Sequence, residues 1–259
     1  MQVLSISSLK GGVGKTSVTL GLTSAARAAG LKTLVIDLDP HGDTSTGLGA
    51  ELGNQQPIGY LLRNVRKADV PANVVPAGWP QTPSSGGGTV DVLVGSALSG
   101  QYDRPDLRRR DLQRLSRLLE NVSGYDLVLI DCPPSLNGLT RMAWLAATKI
   151  VLVAEPTLFS VAGTERSLRG QMSLARQFGS EAALAGVVVN RYNPDNPEHQ
   201  YRIMEMERMF GDKLLLPAIP ESNLWQQVQG AAYPIHSWPR PEANDIASLF
   251  DELLEKLRA

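Results

Sequence analysis

The sequence contains a single cysteine, Cys132, among its 259 residues. One thiol excludes an intrachain disulfide and a thiolate metal or iron–sulfur site within the chain, and it favours a reducing compartment. No apolar run approaches the roughly 18 to 20 residues of a membrane-spanning helix, and the first residues lack the basic and apolar regions of a secretory signal. We therefore expect a cytoplasmic protein without membrane attachment.

An excess of charge of either sign is also lacking. The chain has 25 Lys and Arg residues against 26 Asp and Glu, a net charge of −1 at pH 7. Any binding of nucleic acid must therefore use a local patch rather than the overall charge. With 42% hydrophobic residues the chain is long enough for one large core, and we expect residues 1–259 to form a single domain.

Short β-branched runs alternate with helical patterns along most of the chain. Several runs, such as LVLI and IVLV, are apolar on both faces. This pattern predicts a doubly wound α/β fold, with a mostly parallel sheet flanked by helices on both faces. Strands are predicted at 3–7, 33–37, 90–94, 127–131, 150–154, 187–190 and 216–219. Helices are predicted at 14–29, 105–120, 136–146, 158–178, 197–210 and 242–257. A loop is predicted over 71–89, with WPQTPSSGGG in its second half.

The stretch SLKGGVGKTS follows the first predicted strand and opens the first predicted helix. This is the context of a phosphate-binding loop, in which glycines turn backbone N–H groups inward and the helix N-terminus adds partial positive charge. Lys15 is predicted to reach the β- and γ-phosphates, and the Thr16 hydroxyl to bind Mg²⁺. Leu9 stands where the usual pattern has its first glycine, and Gly11 and Gly12 supply the flexibility instead.

The same residues resemble the deviant Walker A motif of the ParA/MinD family of dimeric ATPases. Lys10 occupies the position of the family's signature lysine, which crosses a two-fold interface to the phosphates of the partner subunit. The resemblance implies an ATP-bound homodimer in which Lys10 acts on the partner's nucleotide, as an arginine finger does, and in which Gly12 permits close approach. The nucleotide-binding residues implied by this motif are Gly11, Gly12, Val13, Gly14, Lys15, Thr16 and Ser17.

An Asp-x-Asp sequence follows the second predicted strand in TLVIDLDPHGDTSTGLG. The carboxyl ends of parallel strands form the edge where ligands bind in such folds. The stretch resembles the family's first switch segment, which implies that Asp39 orients or deprotonates the attacking water and that Asp37 helps to shape the magnesium shell. His41 and Asp43 replace the glutamine and asparagine of the family's pattern.

Two later strand ends complete the resemblance. In YDLVLIDCPPSLN, Asp131 resembles the Walker B carboxylate, which holds Mg²⁺ through water. In GVVVNRYN, Asn190 is implied to pair with the adenine edge, since an amide both donates and accepts. The Asn-Lys-x-Asp signature of guanine sites is missing there, which favours ATP. Pro220 and Glu221, in AIPES, stand where the family packs the base.

Taken together, the motifs predict a ParA-like, Mg²⁺-dependent ATPase that segregates or positions a cargo. By resemblance, its ATP-bound homodimer binds non-specific DNA at the nucleoid, and a ParB-like or cargo-adaptor protein stimulates hydrolysis. The DNA surface stays open between the arginines of DRPDLRRRDLQRLSRLLE and a second group. That second group comprises Arg166, Arg169, Arg191, Arg202, Arg208 and Lys213. Many chromosome-segregating relatives carry arginines where this chain has Glu221 and Leu224.

Two other functions stay open as alternatives. A MinD-like, membrane-associated positioning regulator would end in a basic amphipathic helix. Residues 242–259 instead carry five acidic and two basic residues, which anionic lipid repels. A metabolic ATP-dependent enzyme of the dethiobiotin synthetase kind would need a pocket for a small acceptor beside the γ-phosphate, and the ParA-like switch segments argue against it.

Overall fold

A computed structural model describes residues 1–81 and 87–259, so that part of the predicted 71–89 loop lies outside the described residues. Eight strands form one sheet in the described part of the chain. They are β1 (Gln2–Ser7), β2 (Lys32–Asp37), β3 (Val75–Pro76), β4 (Thr89–Leu93), β5 (Leu127–Asp131), β6 (Lys149–Ala154), β7 (Ala183–Val189) and β8 (Leu214–Leu215). Their order across the sheet is β3-β4-β2-β5-β1-β6-β7-β8.

Helices cover both faces of this sheet. They are α1 (Lys15–Ala28), α2 (Asp43–Gly47), α3 (Ile58–Arg63), α4 (Arg109–Leu112), α5 (Arg114–Leu119), α6 (Gly138–Ala146), α7 (Leu158–Phe178), α8 (Pro197–Phe210), α9 (Leu224–Gly230) and α10 (Glu242–Arg258). Every neighbouring strand pair is parallel except β3 with β4. The predicted doubly wound, mostly parallel α/β fold is therefore confirmed.

Alternating side chains of the central strands enter two hydrophobic cores. In β5, Val128 and Ile130 enter a first core with α3 to α8, whereas Leu127 and Leu129 enter a second core with α1, α9 and α10. Strands buried on both faces read as continuous apolar runs, which is why LVLI indicated a central strand. The acidic α10 lies in the second core through its apolar stripe, and no helix in the described ranges is long and apolar enough to cross a bilayer.

Several predicted elements are wrong in detail. The strand predicted at 187–190 is β7, which begins at Ala183, and β3 lies within the predicted loop 71–89. The predicted helix 105–120 is two short helices, α4 and α5, which begin only at Arg109. Leu107 is buried in the first core, and this anchor holds the preceding segment against α6 rather than in a helix. The predicted strand 216–219 is instead the two-residue β8, which ends before Pro217. A proline has no N–H for the strand ladder.

The strands that follow β1 in the chain, β2 to β5, lie on one side of it in the sheet, and β6 to β8 lie on the other side. β1 lies between β5 and β6, so the strand order reverses at its carboxyl end. In open α/β sheets, ligands bind in the crevice at such a switch point. The loop before α1 and the segments after β2, β5, β6 and β7 all meet at this edge.

Candidate functional site

The loop between β1 and α1 has the backbone that its glycines predict. Gly12 and Gly14 have φ angles of 80° and 87°, a region that other residues rarely adopt. A Cβ at Gly14 would also lie 2.1 Å from the Asn190 amide nitrogen. Since α1 begins at Lys15, its free N–H groups lie directly after the loop, as an anion site requires.

The Walker B carboxylate lies directly beside this loop. Asp131 accepts hydrogen bonds from Thr16 Oγ1 at 2.9 Å, Thr19 Oγ1 at 3.2 Å and Thr44 Oγ1 at 2.5 Å. Burial raises the pKa of Asp131, while the Thr44 hydrogen bond and the nearby Lys15 ammonium act in the opposite direction. The structure therefore brings together Lys15, Thr16 and Asp131, as the sequence predicted for a phosphate and metal site.

Asp37, at the end of β2, is the second buried carboxylate of the site. Its Oδ2 accepts from the Ser45 backbone N at 2.8 Å and from Ser45 Oγ at 2.7 Å. Its Oδ1 is buried and has no partner within the described part of the chain. Burial, reinforced by the neighbouring Asp131, raises the pKa of Asp37 to about 7, and the Ser45 hydrogen bonds only partly offset this.

These oxygens fit a magnesium ion. Mg²⁺ prefers hard oxygen ligands and is held by one or two carboxylates together with phosphate oxygens and water. Asp37 Oδ1 is the buried oxygen that lacks a partner, and Thr16 and Asp131 supply a hydroxyl and a second carboxylate next to the phosphate loop. No group of three or more His, Cys, Asp or Glu side chains suited to a metal occurs in the described ranges.

Asp39 lies on the loop after β2, where water has access. It is half-exposed, and its Oδ1 accepts from the His41 backbone N at 3.0 Å. Its charge contributes to the raised pKa values of both Asp37 and Asp131, so the three carboxylates share one site. A half-exposed carboxylate at this edge is placed to contact a water molecule.

Lys10 does not turn toward the phosphate loop of its own chain. Its Nζ donates to Glu155 Oε2 at 2.8 Å and to Thr157 Oγ1 at 3.4 Å. Arg191 Nη1 contacts the other oxygen of Glu155 at 3.2 Å. The Lys10 side chain is 37% exposed, whereas that of Glu155 is 13% exposed. The role of Lys10 at a partner's nucleotide stays a prediction.

The predicted base-binding residues lie after β7 and after β8, and Asn190 contacts the phosphate loop directly. Asn190 Nδ2 donates to the Val13 backbone oxygen at 2.8 Å, so this amide supports the phosphate loop. Pro220 forms an isolated parallel bridge with Tyr192, and Glu221 N donates to the Tyr192 oxygen at 3.0 Å. Pro220 and Glu221 thus contact the segment that follows Asn190, and the role of the three residues at an adenine base stays a prediction.

Sequence reasoning missed several site residues, among them Thr19, which donates to Asp131. Thr44 and Ser45 bind the two buried carboxylates, Glu155 binds Lys10, and Gln229 of α9 donates to Ser17 Oγ at 2.7 Å. A signal existed for Glu155, which directly follows β6 and so lies at the ligand-binding edge. Thr44 and Ser45 belong to the quoted switch segment, but nothing in the sequence pairs a hydroxyl with a particular carboxylate.

A phosphate loop after the central strand, with carboxylates at the ends of two neighbouring strands, defines a P-loop nucleoside triphosphatase. A family model described as an AAA domain matches residues 1–178. The chromosome partitioning protein ParA of Caulobacter vibrioides is 32% identical over 226 residues, which cover 86% of this chain and 81% of that protein. The chain belongs to the ParA/MinD family of deviant Walker A ATPases.

Solved structures agree on the fold. A variant of Cyanothece McdA in complex with ATP has a TM-score of 0.80 at 22% identity, and the match covers 100% of this chain and 96% of that one. Cobyrinic acid a,c-diamide synthase from Mycobacterium smegmatis, with a bound ATP analogue and magnesium, has a TM-score of 0.72 at 24% identity, covering 90% and 93%. At these identities the likeness establishes the fold alone.

Proposed function

We propose that this protein is a ParA-like positioning ATPase whose ATP-bound form is a sandwich homodimer. In the dimer, Lys10 of each subunit neutralises charge on the partner's triphosphate. The observation that carries the proposal is the position of Lys10, whose ammonium binds Glu155 instead of joining Lys15. An ammonium supplied from another subunit makes charge neutralisation conditional on dimerisation.

In this mechanism each chain holds the triphosphate with backbone N–H groups of residues 11–17 and with Lys15. Thr16, Asp37 and Asp131 would hold Mg²⁺, which supplies positive charge against the β- and γ-phosphates. Asp39 orients a water molecule and accepts its proton as the water oxygen bonds to the γ-phosphorus. The bond from that phosphorus to the bridging oxygen breaks, which leaves ADP and inorganic phosphate.

The relatives support a proposal for the biological role. The Caulobacter relative is named as a chromosome partitioning protein, which supports a cycle in which the ATP-bound dimer binds DNA without sequence specificity at the nucleoid. A ParB-like or cargo-adaptor protein then stimulates hydrolysis by stabilising the productive arrangement of the switch segments. Release of the dimer at the cargo gives directed movement or regular spacing.

Gel filtration with Mg²⁺ and ATP tests the dimer. We expect Asp39→Ala to hydrolyse ATP slowly and to accumulate as a dimer, because the variant loses the water-orienting carboxylate and keeps the phosphate loop. Lys10→Ala in the same background serves as the matched variant, and we expect it to bind ATP yet elute as a monomer. If Asp39→Ala is blocked in hydrolysis and no dimer accumulates, the sandwich mechanism is wrong for this protein.

A second assay separates this function from the metabolic alternative. We expect ATP turnover to rise when DNA and the partner protein are added together, and not to respond to small carboxylated acceptors. Turnover that depends on such an acceptor would instead indicate an ATP-dependent biosynthetic enzyme on the same fold.

A further inference from the structure

A strongly basic groove lies outside the nucleotide site, between the end of α3 and the helices α4 and α5. It has a volume of about 780 Å³, and no acidic side chain lines it in the described part of the chain. We call it the basic groove. Its cationic residues are Arg63, Arg66, Lys67, Arg110, Arg114 and Arg117. A chain with a net charge of −1 thus gathers six cations in one place.

Most of these charges are free to bind an anion. Arg63, Arg66 and Lys67 are exposed, and their side chains make no hydrogen bond or ion pair with any residue that the structure describes. Arg117 is also exposed, and its guanidinium contacts only the neutral Gln113, at 3.4 Å. Arg110 and Arg114 share Asp111 as a counter-charge. The other four cations repel one another without an acidic partner among the described residues, and a bound anion removes that cost.

Arg114 holds the two walls of the groove together. It donates to Asp111 Oδ1 at 2.7 Å from Nη2 and to the Leu62 backbone oxygen at 2.9 Å from Nη1, which joins α5 to α3. Its guanidinium also lies 5.4 Å from the centre of the Tyr102 ring. The contacts of Arg114 therefore fix the relative positions of α3 and α5, and with them the positions of the free cations.

The lining favours phosphate over an acidic protein segment. Protein interfaces depend on buried aromatic or apolar anchors, whereas Val65 is the sole apolar residue among those lining the described groove. Arginine forks match phosphate oxygens in geometry and charge. A row of arginines without an apolar anchor is therefore suited to the backbone of a nucleic acid.

Half of the other basic group of the sequence is paired with acidic side chains in the described structure. Arg169 pairs with Glu165, Arg191 with Glu155, and Arg202 with both Glu198 and Glu205. A cation that already has an acidic partner gains less from a phosphate, because the existing pair must be given up. The four free cations of the basic groove line one cavity, whereas Arg166, Arg208 and Lys213, which have no ion pair among the described residues, lie on α7, on α8 and on the segment after α8. This clustering points toward the basic groove.

We infer that the basic groove is the surface that holds duplex DNA, through backbone phosphates and without reading the sequence. The inference rests on the proposed function, since it assigns a place to the DNA binding proposed there. Each cationic side chain that contacts a phosphate releases a counterion from the DNA. Replacing that side chain with a neutral one therefore lowers both the affinity for DNA and the dependence of the affinity on salt.

The test variant replaces four free cations: Arg63→Ala, Arg66→Ala, Lys67→Ala and Arg117→Ala. Binding to duplex DNA of arbitrary sequence is measured with Mg²⁺ and ATP over a range of salt concentrations. We expect affinity to fall roughly tenfold or more, and the slope of log K against log salt to flatten by about 0.9 per lost contact. ATP turnover without DNA should not change, because these residues lie outside the nucleotide site.

The matched control variant also replaces three exposed arginines and one exposed lysine. It carries Arg169→Ala, Arg176→Ala, Arg208→Ala and Lys213→Ala, and we expect it to bind DNA as the wild type does. A further variant carries Arg63→Lys, Arg66→Lys and Arg117→Lys, and we expect it to keep most of the affinity because the positive charge is retained at each position. Far-ultraviolet circular dichroism checks that each variant is folded.

The outcomes separate this inference from the proposed function. If the groove variant binds DNA like wild type, or if only the control variant loses binding, the groove assignment is overturned and the proposed function stands. If wild type with ATP binds no DNA at all, the proposed function itself fails. If wild type instead sediments with phosphatidylglycerol vesicles and only the groove variant does not, the groove binds lipid and the inference is overturned.

Discussion

At the scale of single residues, Glu155 competes with the phosphates of a partner subunit for the ammonium group of Lys10. Its two oxygens bind Lys10 and Arg191 at 2.8 and 3.2 Å, and the carboxylate is more buried than either cation. If Lys10 crosses to a partner's phosphates, it must first leave this ion pair. The pair therefore stabilises the single chain against the dimer.

Glu155→Gln is expected to favour the dimer. The amide keeps the size of the side chain and removes the charge that holds Lys10. Exposed or half-exposed pairs contribute about 0.2 to 1 kcal/mol each, and each dimer gives up two Lys10–Glu155 pairs. We therefore expect half-maximal dimerisation with ATP at a protein concentration lower by roughly 2- to 30-fold. Analytical ultracentrifugation in the Asp39→Ala background measures this. Glu165→Gln, which removes the Arg169 pair instead, is the control. Weaker dimerisation of Glu155→Gln would show that Glu155 works in the dimer itself.

The residues that carry the motifs could be predicted, whereas those that support them could not. Lys15, Thr16 and Asp131 are fixed by a short loop and by strand ends, so their meeting follows from the order of the motifs. Glu155 and Thr44 depend on which hydroxyl or carboxylate lies opposite another in three dimensions. Such contacts between distant segments leave no local pattern in the sequence.

At the scale of elements, the bounds of a helix could be predicted where local capping residues mark its ends. α8 begins where Asn196 accepts from the Glu198 backbone N and Pro197 occupies the first turn, and α7 ends before Gly179 in the left-handed conformation. Both pairs of bounds match the prediction, since caps are local. The start of α4 at Arg109 instead of residue 105 accompanies the burial of Leu107 in the first core, which is a tertiary effect.

α10 shows how an acidic amphipathic helix can serve the core. Ile246, Phe250, Leu253, Leu254 and Leu257 are all buried in the second core. A Cβ added at Gly21 of α1 would lie 2.2 Å from the Phe250 ring, so the two helices approach at that glycine. The apolar stripe is therefore occupied by packing.

Phe250→Ala is expected to destabilise the protein strongly. Phe250 is 0% exposed and its ring centre lies 5.4 Å from that of Trp225 in an edge-to-face arrangement. Removing a buried phenylalanine costs about 3 to 5 kcal/mol through lost contacts and the cavity that remains. Urea unfolding measures the free energy of unfolding, with the exposed Glu252→Ala as control. A loss near that of the control would mean that α10 contributes little to the core.

At the scale of the whole molecule, the nucleotide site joins both cores. The phosphate loop connects β1, the strand between β5 and β6, to α1 in the second core. Asn190 at the end of β7 holds this loop, while Thr16 and Thr44 connect it to Asp131. A ligand bound there contacts segments from both halves of the sheet, so its binding energy stabilises the fold as a unit.

We therefore expect Mg²⁺ and ATP to raise the melting temperature of the whole chain in one transition. A ligand at about 100 times its Kd adds about 2.7 kcal/mol, which for a chain of this size corresponds to roughly 5 to 10 °C. Adding EDTA should remove most of the shift, because the buried oxygens of Asp37 and Asp131 then face the triphosphate without a cation. Lys15→Ala should fold and show little shift with ATP. An equal shift in EDTA would mean that these carboxylates take no part in nucleotide binding through a metal.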